Sequence, residues 1–179
     1  RADGLPDIAW VDVPAGSFVM GPDSLIIGGY SRNEADRPRR TLALEAFRIS
    51  KYETTNAQYQ AFVRATDGFV NSKWWEGPAG GGGEPGTPEW NGADLPAENV
   101  SWNEAVAFSR WLTARLRRAG DLDAGTEIRL PTEEEWEKAA RGTDGRVYPW
   151  GNSYEEGKAN IDEKSMGAGP SFLNRTIAV

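Results

Sequence analysis

The 179-residue sequence carries a formal net charge of −7 and contains neither cysteine nor histidine. The negative charge argues against nucleic-acid binding, which requires a basic surface. The missing residue types exclude thiolate nucleophiles, Ser–His–Asp triads, disulfides and zinc sites of the usual ligand set from these 179 residues. Acid–base chemistry on this chain would therefore rest on carboxylates, lysine or tyrosine.

The composition favours a folded, loop-rich domain. Hydrophobic residues make up 39% of the sequence, with 8 Trp, 6 Phe and 5 Tyr, which is enough for a substantial core. The 21 glycines and 11 prolines are more than a helical bundle would carry. No apolar run approaches the ~20 residues that span a bilayer, so no membrane partner is predicted. We predict a single domain over residues 1–179.

Strand patterns dominate the first 50 residues. Val11 and Val13 alternate with a polar residue, as do Phe18 and Met20, which predicts two short strands flanking a Pro-Ala-Gly turn. Residues 22–40 are polar and glycine-rich and predict a long surface loop. Residues 41–49 read as one further strand.

Three helices are predicted at residues 55–66, 101–118 and 132–141, each opened by a capping box. The boxes pair Thr55 with Gln58, Ser101 with Glu104, and Thr132 with Glu135. The apolar spacing places Trp136, Ala139 and Ala140 on the buried face of the third helix. The predicted core comprises Phe18, Phe47, Tyr59, Phe62, Trp102, Phe108, Leu112, Leu130 and Trp136.

Residues 76–92 contain seven glycines and predict a mobile excursion. A phosphate-binding loop would need a preceding strand and a following helix with Lys and Ser or Thr, and the sequence offers neither. Trp74, Trp75 and Trp90 flank or enter this stretch. They are either ligand-stacking aromatics or side chains packed beneath the loop.

A series of motifs resembles the formylglycine-generating enzyme family, also called the sulfatase-modifying factor family. They appear in the family's order and at its approximate spacing over nearly the whole chain. The matching residues are Gly16–Gly21, Tyr52–Tyr59, Pro96 with Val100–Trp102, Arg129–Glu133, Glu135–Glu137, Ala139–Gly142, Tyr148–Gly151 and Ala159–Asn160.

The resemblance implies an α+β fold of the C-type lectin-like class, loop-rich, with a small twisted antiparallel sheet and two main helices. It also implies that residues 1–179 are the N-terminal part of the family's domain. In the family's oxidases the copper-binding cysteine pair lies in the C-terminal part, which this sequence does not contain. The expected partner is that C-terminal remainder or a second polypeptide.

The resemblance carries over the family's calcium site only in part. Asn160 and Ile161 match the family's Asn-Ile pair, which supplies a side-chain and a backbone oxygen. Ser171 stands where the family has an aspartate, and Leu173 occupies the position of a further backbone carbonyl. Losing a carboxylate weakens a site for a hard cation, so calcium is a weakened expectation here.

Two functions from different classes are open at this point. The first is a non-catalytic recognition module that displays loops to a protein or small ligand. The resemblance supports it through the family's non-catalytic members, which include domains of bacterial kinases, signalling proteases and the hypervariable proteins of diversity-generating retroelements. The second is an oxidase that generates formylglycine, or a related iron-dependent oxidase, whose reactive residues lie beyond Val179.

Overall fold

The computed structural model describes residues 4–21, 39–77, 83–167, 169 and 172–179. These residues fall into two compact units. The first unit comprises Arg1–Ala9, Ser50–Leu130 and Ile177–Val179, and the second comprises Trp10–Ile49 and Pro131–Thr176. Most of the predicted loop at 22–40 and part of the glycine-rich stretch lie outside the described residues.

Helices build the first unit. Helix α1 spans Asn56–Arg64, a short 3₁₀ helix spans Ser72–Trp75, and helix α2 spans Trp102–Ala119. Both predicted capping boxes are present, at Thr55 and at Ser101, so the first-turn N–H groups have side-chain acceptors. Gly120 ends α2 in the left-handed conformation, which glycine adopts without steric cost.

The core of the first unit is aromatic. Phe62 on α1 is fully buried and lies 5.5–6.1 Å, centroid to centroid, from the rings of Tyr59, Phe69, Phe108 and Trp111. Most of these ring pairs are tilted or edge-on, the geometry that the ring quadrupoles favour. The predicted burial of Tyr59, Phe62, Phe108 and Leu112 is confirmed.

Two small sheets belong mainly to the second unit. Strand β1 (Trp10–Val13) pairs with β4 (Phe47–Ser50), and β2 (Gly16–Met20) pairs antiparallel with β3 (Arg40–Leu44). Phe18 of β2 stands opposite Leu42 and is buried, as predicted. The two strands on either side of the Pro-Ala-Gly turn therefore pair with β4 and β3 and not with each other.

The single strand predicted over residues 41–49 is wrong. The chain leaves regular strand geometry at Glu45 and Ala46, and β3 and β4 pair with different partners. Alternating apolar and polar residues indicate an extended segment, but they do not show that its two halves pair with different strands. The sequence also predicts the end of a strand at Leu130 and the start of one at Ile177–Val179, but neither segment is a strand. The N–H of Val179 instead donates to the carbonyl of Asp94 at 3.2 Å.

Helix α3 spans Glu133–Arg141 with its capping box at Thr132, as predicted, but its buried face differs from the prediction. Trp136 is 61% exposed and Ala139 is exposed, whereas Lys138 is only 2% exposed. The Nζ of Lys138 donates to the carbonyl oxygens of Pro14, at 2.7 Å, and Gly16, at 3.1 Å. This helix therefore packs through a charged side chain that satisfies backbone acceptors.

The remaining residues of the predicted core are not fully buried. Trp102, at the first position of α2, is 59% exposed, so its predicted burial is wrong. Trp102 is not a member of the aromatic cluster, to which α2 contributes Phe108 and Trp111. Phe47 and Leu130 are half-buried. None of the helices in the described residues has the length and apolar character needed to cross a membrane.

Candidate functional site

Three of the predicted calcium ligands, Asn160, Ile161 and Leu173, are exposed residues of the second unit. The side-chain amide of Asn160 donates to the carbonyl of Arg175 at 2.9 Å, which holds the segment containing Leu173 beside it. The amide oxygen of Asn160 is not used in that hydrogen bond, and the Ile161 carbonyl accepts from the N–H of Glu163 at 3.1 Å. Ser171 lies outside the described residues.

These groups only partly fit a calcium ion. An amide oxygen and backbone carbonyls are suitable hard ligands, but calcium sites also draw on carboxylates. The two carboxylates that follow Ile161 in the sequence have other roles: Asp162 accepts from the N–H of Ser165 at 2.9 Å, and Glu163 is buried. The described ranges contain no group of three or more acidic side chains that could hold a metal ion. Calcium at this position stays a prediction.

Glu163, on the short helix α4 (Glu163–Met166), is 0% exposed and anchors its surroundings. Its carboxylate accepts hydrogen bonds from the Tyr154 hydroxyl and, at 2.7 Å, from the N–H of Gly157. The pKa of Tyr154 is raised to about 12. The largest cause is its hydrogen bond to Glu163, and the second is burial. Tyr154 in turn packs edge-on against Tyr148, so this carboxylate holds an aromatic cluster in place.

The three tryptophans predicted as ligand contacts do not form one surface. Trp74 and Trp75 are buried, and their indole N–H groups donate to the carbonyls of Asp67, at 2.6 Å, and Phe69, at 2.8 Å. Of the two alternatives, packing in the interior and not ligand stacking therefore describes Trp74 and Trp75. Trp90 is half-buried, and its carbonyl accepts from the Asn56 side chain at 2.9 Å.

A buried polar network that the sequence analysis did not identify joins the two helices of the first unit. One oxygen of Glu104 accepts from the Ser101 N–H at 2.7 Å. Its other oxygen accepts from the Tyr59 hydroxyl at 3.2 Å and the Gly86 N–H at 3.4 Å. The capping box revealed the first of these contacts, but the other two depend on tertiary packing.

The electrostatics of this network follow from its hydrogen bonds. Burial alone would raise the pKa of Glu104, but hydrogen bonds from Ser101, Gly86 and Tyr59 outweigh it and lower that pKa. Burial, and then the Glu104 charge, raise the pKa of Tyr59. Both groups therefore stay in their ordinary ionisation states at neutral pH.

Close packing explains why position 86 is a glycine. A Cβ on Gly86 would lie 2.0 Å from the carbonyl oxygen of Asn99, so no larger residue fits without moving the backbone. The Asn99 side chain donates to the Thr87 carbonyl at 2.7 Å, and Glu98 accepts from the N–H of Glu89 at 3.0 Å. The described part of the glycine-rich stretch is thus held by hydrogen bonds, and the mobility of residues 76–92 stays a prediction.

Comparison with known proteins identifies the family. Residues 5–173 match the model of the sulfatase-modifying factor enzyme 1-like domain. The chain belongs to this family. The α+β architecture is accordingly that of the formylglycine-generating enzyme family, a variant of the C-type lectin-like fold, as the sequence motifs predicted.

Individual relatives include proteins with and without a named enzymatic activity. The chain is 31% identical to the inactive C-alpha-formylglycine-generating enzyme 2 of Mus musculus, over 87% of this chain and 54% of the relative. It is 33% identical to the formylglycine-generating enzyme of Thermomonospora curvata, over 79% of this chain and 52% of the relative. It is 29% identical to the hercynine oxygenase of Mycolicibacterium smegmatis, over 84% of this chain and 37% of the relative. The chain spans about half the length of the first two.

Proposed function

We propose that this chain is a non-catalytic recognition module built on the formylglycine-generating-enzyme scaffold. One observation carries the proposal: the buried charged side chains of the described residues bind main-chain groups. Glu104 accepts from the N–H groups of Ser101 and Gly86, Lys138 donates to two carbonyls, and Glu163 accepts from a Gly157 N–H. These groups hold loops in place, and loops on a fixed scaffold are suited to recognition.

The experiment is an activity assay on the purified chain. We expect no aldehyde when it is incubated with a cysteine-containing sulfatase peptide, copper and oxygen, because it has no thiolate to hold the metal. The formylglycine-generating enzyme of Thermomonospora curvata, run in parallel, is the positive control. Aldehyde formed by this chain alone, detected by mass spectrometry of the peptide, would overturn the proposal.

A second candidate is an oxidase, completed by residues beyond Val179. It is favoured by the identity of about 30% to enzymes named as formylglycine-generating enzymes and hercynine oxygenase. The discriminating observation is the coding sequence after Val179. A cysteine pair in the C-terminal part of the domain would support formylglycine formation, and its absence there would argue against it.

We also propose a polypeptide partner, either the C-terminal part of the same domain or a second chain. Each unit exposes one large tryptophan from a family motif: Trp102 in the first unit and Trp136 in the second. Tryptophan is enriched at protein interfaces, and an obligate interface should exceed ~2,000 Å². Size-exclusion chromatography tests this proposal: a monomer of 19.6 kDa without any companion chain would contradict it.

A further inference from the structure

A groove of about 330 Å³ lies beside α1 in the first unit. Three alanines, Ala57, Ala61 and Ala93, give it an apolar lining, and polar side chains that include Gln60, Arg64 and Asn91 also face it. Its volume is at the lower end of the ~300–1,000 Å³ range of small-molecule sites. It can therefore hold a short ligand of a few residues but not a large cofactor.

Hydrogen bonds fix the loop that forms one wall of this groove. The buried side-chain amide of Asn56 donates to the carbonyls of Trp90, at 2.9 Å, and Gly92, at 3.0 Å. Two main-chain N–H groups in the first turn of α1 donate to the carbonyls of Leu95, at 2.8 Å, and Ala93, at 2.9 Å. Since these N–H groups have no partner within the helix, the loop satisfies them, and the groove is preformed.

Three polar side chains of the groove are available to a ligand. Within the described ranges, the side chains of Arg64, Gln60 and Asn91 make no hydrogen bond or ion pair, and no carboxylate lines the groove. An unpaired guanidinium on a chain of net charge −7 creates a local preference for an anion. The planar fork of arginine matches a carboxylate with two parallel N–H donors.

We propose that this groove binds a ligand carrying one carboxylate, such as the end of a peptide chain. The carboxylate pairs with Arg64, amides of the ligand bond to Gln60 and Asn91, and a small apolar side chain covers the alanines. A single cation matches a single negative charge, whereas a phosphate carries about −1.5 to −2 and is usually met by an arginine cluster. The inference deepens the proposed recognition function, on which it rests, by naming the site and the ligand class.

The experiment titrates the full chain with N-acetyl-trialanine, its C-terminal amide, propionate and inorganic phosphate. Binding is followed by the backbone NMR signals of Ala57 and Ala61. We expect the tripeptide acid to shift these signals, and the amide and phosphate to bind at least tenfold more weakly. Propionate binding as tightly as the tripeptide would support the carboxylate site and assign it to small organic acids. Equal binding of acid and amide, or tighter binding of phosphate, would overturn the proposal.

Two variants test the assignment to this groove. Arg64→Gln should weaken binding of the tripeptide acid at least tenfold, and Ala61→Leu should do so by filling the groove. Arg48→Gln, the same change at an exposed position on β4, is the control and should bind like the wild type. Wild-type affinity in a folded Arg64→Gln variant would overturn the proposal, whatever Ala61→Leu does. The aldehyde assay measures a different property, so each proposal can fail separately.

Discussion

In the first unit, Phe62 lies among four aromatic rings, and Trp111 and Leu112 are almost completely buried beside it. In the second unit, Phe18 and Met20 are also buried, but Lys138 and Glu163 are buried with them. The first unit also buries Glu104, but it is stabilised mainly by removing apolar surface from water. In the second, charged side chains satisfy main-chain groups that would otherwise be costly to bury.

Arg141 is another charged side chain of the second unit that binds main-chain groups. Its guanidinium pairs with Glu137 and donates to the carbonyls of Gly21, at 3.2 Å, and Gly145, at 3.0 Å. Glu137 also accepts from the N–H of Gly21 at 2.8 Å. The ion pair, which follows from the i,i+4 spacing on α3, thus also fastens two loops within the second unit. The comparison of the two units shows that a buried charged side chain can hold elements together, and that the spacing of apolar residues in the sequence does not reveal it.

The largest expected effect is on the aromatic cluster. Phe62→Ala should lower the free energy of unfolding by about 3–5 kcal/mol, because it leaves a cavity among four rings. Urea unfolding followed by tryptophan fluorescence measures the change. Phe62→Leu, which retains most of the volume, should lose less. A loss below about 1 kcal/mol for Phe62→Ala would mean that this cluster does not stabilise the first unit.

A smaller effect is expected for the buried lysine of the second unit. Lys138→Met keeps the apolar stem but removes the donor to the carbonyls of Pro14 and Gly16, which should cost about 1–3 kcal/mol. Lys164→Met, at an exposed position of α4, is the matched control and should stay within about 0.5 kcal/mol of the wild type. If the two variants unfold at the same urea concentration, the role assigned to Lys138 is wrong.

The polar network of the first unit should respond to pH. Because hydrogen bonds lower the pKa of Glu104 in the folded state, its contribution to stability is complete above its unfolded pKa, near 4.5. That contribution is lost as the pH falls from there through the folded pKa. Other carboxylates titrate as well, so the quantity to follow is the difference in unfolding free energy between the wild type and Glu104→Gln. It should shrink between pH 6 and pH 3, and a constant difference would contradict the lowered pKa.

Local sequence signals predicted helices α1, α2 and α3 but not the 3₁₀ helix or α4. The three capping boxes at Thr55, Ser101 and Thr132 lie where the spacing placed them, since a cap and its partner are only three residues apart. The family followed from the order of its motifs. The pairing of β3 and β4 with different strands could not be predicted in the same way, because strand pairing depends on residues distant in sequence.

The same distinction explains the outcome for individual residues. Trp136 has the right spacing for a buried face, yet α3 turns Lys138 inward, where its Nζ donates to the backbone carbonyls of Pro14 and Gly16. The contacts of Glu104 with Tyr59 and Gly86 likewise cross from one element to another. The sequence alone does not tell whether Trp74 and Trp75 are buried or exposed. The structure shows that both indole N–H groups donate to nearby carbonyls.

The most direct test of the contrast between the units compares two tryptophans on different helices. Trp111 on α2 is 1% exposed, and its indole N–H donates to the Asp67 side chain at 3.2 Å, whereas Trp136 on α3 is largely exposed. The measurement is the free energy of unfolding of Trp111→Ala and Trp136→Ala, determined side by side in urea. We predict a loss of about 3–5 kcal/mol for Trp111→Ala and of less than about 1 kcal/mol for Trp136→Ala. Equal losses would contradict the assignment of the aromatic core to the first unit and of the charged packing face to α3.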